Sequence, residues 1–357
     1  MSRDTFARID LDALAHNLGV VRKLTGKSRV ACVIKADGYG HGITRVASAL
    51  SETDLFAVAT PDEARAVRGA GWSGPLLLLE GFSDAEDLSL ARELRLELVV
   101  HRPGQLQALE ESGLVSGQRL WLKLDTGMHR LGFPAADAPA LIPRAMAVAG
   151  GAHPVLMTHF ACADELQNPM TAAQVDLFDS ATAGLDLDRS LANSAAIINF
   201  PGTCREIVRP GIMLYGISPI AGTTGLDFGL RPVMSLHAEL IAINHCHAGD
   251  RIGYGSAFTC PRDMRVGVVA IGYGDGYPRR LENGAPVLLN GRRTALAGRV
   301  SMDMITIDLG GHEQARVGDI VTLWGEGLPV EEVADTAGAI PYELVCGLTG
   351  RVDRVTR

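Results

Sequence analysis

VACVIKADGYGHG, residues 30–42, sets the pattern by which the rest of the chain reads. Apolar residues run unbroken from Val30 to Ile34, stop at Lys35, and yield to a turn of Gly38, Tyr39, Gly40, His41 and Gly42. A run without polar alternation reads as a strand with both faces buried, the mark of parallel pairing. The pattern recurs at Leu55–Thr60, Leu76–Gly81, Leu96–His101, Leu120–Asp125, Pro154–His159, Arg189–Ser194 and Ile207–Gly211. Each run ends in a polar residue or glycine and leads into a helical stretch. Eight such units predict an α/β fold, a closed (β/α)8 TIM-type barrel. An open doubly wound sheet is the alternative, but it usually has fewer strands and often a glycine fingerprint, which is missing here. Helix starts agree. Thr60-Pro61-Asp62-Glu63 sets an N-cap before a proline, with acids in the first turn. Arg102-Pro103 and Phe133-Pro134 repeat the placement of proline.

Beyond about residue 230 the character changes. Val233–Ile243, Arg265–Ile271, Ala285–Leu289, Met304–Leu309 and Asp319–Trp324 read as strands parted by turns rich in Gly, Asn and Asp. Only Val330–Ala337 there reads as a helix, and an amphipathic helix near Asp10–Leu24 precedes the first barrel strand. Two domains are expected: a barrel over residues 1–229 and a mainly β domain over 230–357. A net charge of −8 with scattered basic residues argues against a nucleic-acid partner. The six cysteines, none spaced C-x-x-C, read as reduced thiols. The stretch MSRDTFARID lacks the apolar core of a signal peptide, and no apolar run is long enough to span a bilayer, so the cytoplasm is the expected compartment.

Gly26-Lys27-Ser28 resembles the end of a phosphate-binding loop, but position 21 is Val21 where that loop needs glycine. His245 and His247 share a strand face without a third ligand, so no metal is expected. The informative residues end the barrel strands: Lys35, Lys123, Asp125, Arg130, His159, Asn193, Ser194, Arg209 and Gly211. Lys35 reads either as a snorkelling rim lysine or as an amine that forms a Schiff base. Asn193-Ser194 and Arg209-Pro210-Gly211-Ile212 follow strands seven and eight, where barrels often bind phosphate. Taken alone they read as a cap and a turn glycine; beside Lys35 they suit a phosphorylated aldehyde.

At this point the chain resembles the alanine racemase family. The resemblance rests on IDLDALAHNL (9–18), VIKADGYGHG (33–42), LKLDTGMHRLG (122–132), MTHFACAD (157–164), NSAA (193–196), VRPGIMLYG (208–216), IGYGS (252–256), IGYGDGYPRR (271–280), GRVSMDM (298–304) and IPYELVCGL (340–348). It implies a homodimeric enzyme that holds pyridoxal 5'-phosphate on Lys35 and interconverts L- and D-alanine. It makes Lys35 the base on one substrate face and Tyr254, from the partner subunit, the base on the other. Arg209 would face the pyridine nitrogen, and His159 would link the tyrosine to Arg209. Tyr39, Asn193, Ser194, Gly211, Ile212 and Tyr342 are implied around the cofactor, most of them at its phosphate. Arg130 and Met302 would receive the substrate carboxylate. Lys123 matches a lysine that is often carbamylated, and Tyr273, Arg280, Arg299 and Asp303 resemble the lining of the substrate channel. Asp37 and Gly38 depart from the Asn and Ala usual there. Supply of D-alanine for peptidoglycan precursors and catabolism of alanine stay open as roles.

Racemisation needs a proton removed on one face and returned on the other. A tyrosine, with an ordinary pKa of about 10, needs help to act as a base. Arg209 offers the pyridine nitrogen no transferable proton, which favours racemisation over other pyridoxal chemistry. A related decarboxylase would carry an acid there, a non-catalytic cofactor carrier would lack the β domain, and a cofactor-free barrel hydrolase would be colourless. Each residue alone has a plainer reading: Tyr254 as a strand-end tyrosine, His159 as a core histidine, Met302 as filling.

Overall fold

A computed structural model describes residues 4–114, 118–150 and 153–356; the outermost residues of the two expected domains, 1–3 and 357, lie outside them. The first described strand, β1 (Thr5–Ile9), is not a barrel strand. The barrel is made by β2 (Arg29–Val33), β3 (Leu55–Val58), β4 (Leu76–Leu78), β5 (Glu97–Val100), β6 (Leu120–Asp125), β7 (Val155–Met157), β8 (Arg189–Ser190) and β9 (Ile207–Val208). These pair in parallel in chain order from β2 to β8, and β9 pairs back to β2. Between β8 and β9 the ladder is reduced to a single parallel bridge of Asn193 with Arg209, where the Arg209 N–H donates to the Ala192 carbonyl at 2.9 Å. Every residue of β3 and β4 is buried, as unbroken apolar runs require. Thr60 caps its helix as the sequence predicts, and with Glu63 it completes a capping box.

The second sheet is built from β10 (Met234–Cys246), β11 (Met264–Val269), β12 (Pro286–Leu289), β13 (Arg292–Ala295), β14 (Ile305–Asp308), β15 (Ile320–Trp324) and β16 (Asp353–Thr356). Strand β1 lies within it, antiparallel to β10 and parallel to β16. Its residues alternate, with Thr5, Ala7 and Ile9 buried, and Thr5 donates its hydroxyl proton to the Ala270 carbonyl at 2.5 Å. The described chain thus passes from β1 in one lobe into the barrel through the helix Leu11–Thr25. A helix at Pro341–Cys346 follows Val330–Ala337, so the second lobe holds more helix than its sequence suggested. That short helix packs against the turn after β2.

Candidate active site at the barrel mouth

Lys35 follows the end of β2 and opens a turn of unusual hand. Ala36 (φ 53°), Asp37 (φ 53°), Gly38 (φ 61°) and Tyr39 (φ 52°) are all left-handed in succession. For residues other than glycine this costs about 1–2 kcal/mol each, so the surroundings must hold it. The Gly38 and Gly40 N–H groups donate to the Ile34 and Ala36 carbonyls, each at 2.9 Å. The Ala36 N–H donates to Glu63 Oε1 at 2.6 Å, and Asp37 Oδ1 accepts from the Ile43 N–H at 2.8 Å. His41 is fully buried, and burial brings its pKa down to about 4, so its ring is neutral. Its Nδ1 faces the carbonyls of Tyr39 at 2.8 Å and Gly38 at 3.1 Å, which fixes that nitrogen as the donor. Gly40 has no substitute: a Cβ there would lie 2.0 Å from the Val345 carbonyl oxygen.

Across the mouth, Arg209 is buried with both terminal nitrogens spent on protein. Nη1 donates to the Ser190 carbonyl at 2.8 Å and its hydroxyl at 2.6 Å; Nη2 donates to the Thr158 carbonyl at 2.6 Å. Nη2 also lies 3.3 Å from His159 Nδ1. Nε takes no acceptor among the described residues. Burial lowers the Arg209 pKa to about 10, which leaves it a cation at neutral pH. Burial, then Arg209, Lys123, Arg130 and Lys35, hold His159 well below its ordinary pKa. A guanidinium has no lone pair, so His159 Nδ1 accepts and the ring proton sits on Nε2. Gln174, wholly buried, sets this histidine: it donates to the His159 carbonyl at 3.0 Å and to Thr126 Oγ1 at 3.1 Å.

Lys123 projects from β6 and is only 7% exposed. Burial first, then Arg209, Arg130 and Lys35, lower its pKa to about 8; Asp125 opposes them weakly. Asp125 itself is turned to the Gly127 and His129 N–H groups, at 2.9 and 3.1 Å. The mouth therefore gathers four cationic side chains with little built-in compensation, a setting made for an anion.

Asn193 caps the helix Ser194–Asn199, accepting from the Ala196 N–H at 3.0 Å, and Ser194 Oγ accepts from the Gly211 N–H at 2.9 Å. A Cβ on Gly211 would stand 2.4 Å from the Tyr39 hydroxyl. Ile212 opens a 3-10 turn, Ile212–Tyr215, whose first N–H groups have no partner within it. Tyr39 stacks on Tyr215 at 4.7 Å and faces Tyr342 at 6.1 Å. Tyr39, Ser194 and Gly211 thus meet beside the turn that Lys35 opens.

The remaining expected residues lie on the second lobe. Tyr254 is 72% exposed and makes no hydrogen bond or ion pair within the described chain. Tyr273 and Met302 are also exposed, and their loops are joined by the Tyr273 N–H to the Ser301 carbonyl at 3.0 Å and the Gly274 N–H to the Met302 carbonyl at 2.9 Å. Arg299 lies against Gly253 and Gly255, beside Tyr254. Asp303 is paired with Arg351 at 2.7 Å, and Arg280 is exposed. Among the described residues no hydrogen bond, ion pair or ring contact joins Tyr254 to Lys35 or His159. Sequence reading missed Glu63, Gln174, Ser190 and Tyr215, which act through hydrogen bonds and stacking that no local pattern announces. Among the described residues no group of three or more His, Cys, Asp or Glu is arranged to hold a metal ion.

The chain is similar throughout to known proteins. A family model described as the alanine racemase N-terminal domain matches residues 9–219, and one described as the C-terminal domain matches 233–356. An alanine racemase of Nitrosococcus oceani is 52% identical over 98% of both chains, and one of Thioalkalivibrio sulfidiphilus is 51% identical over 99% of this chain and 98% of the other. The solved biosynthetic alanine racemase from Pseudomonas aeruginosa is 44% identical, with a TM-score of 0.95 over 99% of both chains. That of Bartonella henselae, solved with covalently bound pyridoxal phosphate, is 26% identical with a TM-score of 0.89 over 99% of both chains.

Proposed function

The chain belongs to the alanine racemase family, and from that premise we propose that it interconverts L- and D-alanine with pyridoxal 5'-phosphate at the barrel mouth. The observation that carries this is the gathering of Lys35, Lys123, Arg130 and Arg209 around a neutral His159, with one Arg209 nitrogen left without an acceptor. The donor set suits the cofactor. Arg209 Nε–H would face the pyridine nitrogen. Ser194, Gly211, Ile212, Tyr39 and Tyr342 would hold the phosphate, and Asn193 would fix the strand end beside them.

When bound, pyridoxal phosphate supplies an electron sink that makes the α-proton of an attached amino acid acidic. Lys35 Nζ is the anchoring amine and the base on one face. Tyr254 of the partner subunit is the acid and base on the other, which makes the working unit a homodimer. His159 Nε2–H is a donor for that tyrosine oxygen and so lowers the cost of its anion. Arg209, which stays protonated, would offer the pyridine nitrogen no transferable proton and so would keep that electron sink weak. Arg130 and the Met302 backbone receive the substrate carboxylate. Lys123, part neutral near pH 8, is open to carbamylation, and the resulting anion would balance Arg130. Tyr273, Arg280, Arg299 and Asp303 would line the channel through which alanine arrives.

We propose residues 1–229 and 230–357 as the two domains, with β1 (Thr5–Ile9) of the first lent to the sheet of the second, each domain supplying one half of a site to a different copy. The cytoplasm suits six free thiols. The likeness to a racemase described as biosynthetic supports D-alanine supply for peptidoglycan precursors. Borohydride reduction of the cofactor-loaded protein is expected to leave a stable adduct on Lys35. Lys35→Ala is expected to lose visible absorbance and racemisation together; retention of both would end the assignment.

A further inference from the structure

One side chain of the C-terminal segment reaches back to the lysine turn and is used by no step above. Arg354, on β16, donates from Nε to the Gly40 carbonyl at 3.1 Å. Its terminal nitrogens donate to the carbonyls of Thr349 at 3.1 Å, Val352 at 3.0 Å and Leu348 at 2.9 Å. Four of the five N–H groups of this guanidinium are thus spent on backbone oxygens. The contact is reciprocated: Arg45, on the helix after the turn, donates to the Arg354 carbonyl at 3.1 Å. The loop that Arg354 grips also holds the other active-site turn. The Thr349 N–H donates to the Asp275 carbonyl at 3.1 Å and the Thr349 hydroxyl to the Gly274 carbonyl at 3.0 Å. Arg354 therefore stands where the turn that carries Lys35 meets the loop that supports residues 272–276.

We infer that Arg354 is a positioning residue: through Gly40 it holds the left-handed turn that aims Lys35 and Tyr39, so capture of the cofactor depends on the C-terminal segment. A left-handed run persists only where its surroundings over-determine it. Glu63 and Asp37 fix the start of the run and His41 its middle. At its far end the Gly40 carbonyl takes the Arg354 hydrogen bond, a charge-assisted one and so stronger than a neutral pair. Because three other carbonyls immobilise the guanidinium, it acts as a strut and not as a loose tether.

This inference rests on the cofactor reading in one of its two tests, so the other is independent of it. In the apo protein, Arg354→Gln is expected to speed hydrogen exchange at the Gly38, Gly40 and Gly42 amides by about tenfold or more, the scale of one lost charge-assisted hydrogen bond. The amides of β5 and β6 should be unchanged. In the same variant, growth of visible absorbance on mixing with pyridoxal phosphate is expected to slow by about tenfold. Thr356→Ala, in the same strand with an exposed side chain, should alter neither. If Arg354→Gln does not accumulate as folded protein, Arg354→Lys serves the same comparison, with about threefold effects. Faster exchange confined to residues 353–356, with the turn and cofactor capture untouched, would overturn the inference. Failure of the unaltered chain to gain absorbance would count against the cofactor reading alone, because the exchange arm still decides.

Discussion

Lys123 shows how a single buried charge becomes a measurable stability term. Its pKa is lowered to about 8, by burial first and then by Arg209, Arg130 and Lys35. The unfolded chain, with an ordinary lysine near 10.4, binds this proton over a pH range in which the folded chain has released it. Stability therefore rises as pH climbs from about 8 towards 10, and below 8 the full penalty of protonated Lys123 is present. The shift corresponds to about 3 kcal/mol. Lys123→Met is expected to raise the thermal midpoint of the apo protein at pH 7 and to flatten its climb between pH 8 and 10. Melting curves of both proteins across that range check this, and parallel curves of equal height would refute it. At this scale the sequence was informative. Lys35, His159 and Arg209 each lie just past an apolar strand and Lys123 near the end of one, and the barrel geometry brings strand ends together. The distant partners of Glu63 and Gln174 were not legible, because a polar residue on a helix looks the same whether it faces water or a backbone group of another element.

At the scale of elements, the turns decide more than the strands. Most of the eight strands lie in apolar runs, although β8 is only Arg189–Ser190, and Thr60 with the acids after it announced their helix. The left-handed run Ala36–Tyr39 was not foreseeable, since only Gly38 among its residues prefers that hand. Its causes are hydrogen bonds from residues as distant as Arg354. Strand β1 escaped for a related reason: TFARI buries small Thr5 and Ala7, a weak apolar signal, and its partners lie more than two hundred residues away. The pairing of turns is testable at Gly211. A methyl there meets the Tyr39 hydroxyl at 2.4 Å, so Gly211→Ala must displace the tyrosine or the loop. Gly211→Ala is expected to weaken pyridoxal phosphate binding by about tenfold or more, the scale of one overpacked contact. Adding Tyr39→Phe, which deletes the clashing oxygen, should make the second loss smaller than the sum of the single ones. Strictly additive losses in a fluorescence titration would show that the two turns do not meet at that point.

Across the whole molecule, the proposed site is complete only where a second chain supplies Tyr254. The barrel holds an anion-seeking mouth, while Tyr254 stands 72% exposed on the other lobe with Tyr273 and Met302 exposed near it. An exposed tyrosine and methionine patch of this kind suits the proposed contact surface, and a symmetric pair of chains would place each Tyr254 against the other's Lys35. The architecture then predicts complementation between two inactive proteins. A Lys35→Ala chain keeps its Tyr254, and a Tyr254→Phe chain keeps its Lys35. Mixed in equal amounts and allowed to exchange subunits at random, half of the dimers carry one chain of each kind. In those dimers one site has both defects, and the other has an intact lysine facing an intact tyrosine. One site in two, in one dimer of two, gives about a quarter of the unaltered specific activity. The gain should appear over the time of subunit exchange and vanish when the chains are cross-linked before mixing. If each chain completed its own site, no mixture of the two would recover activity at any ratio.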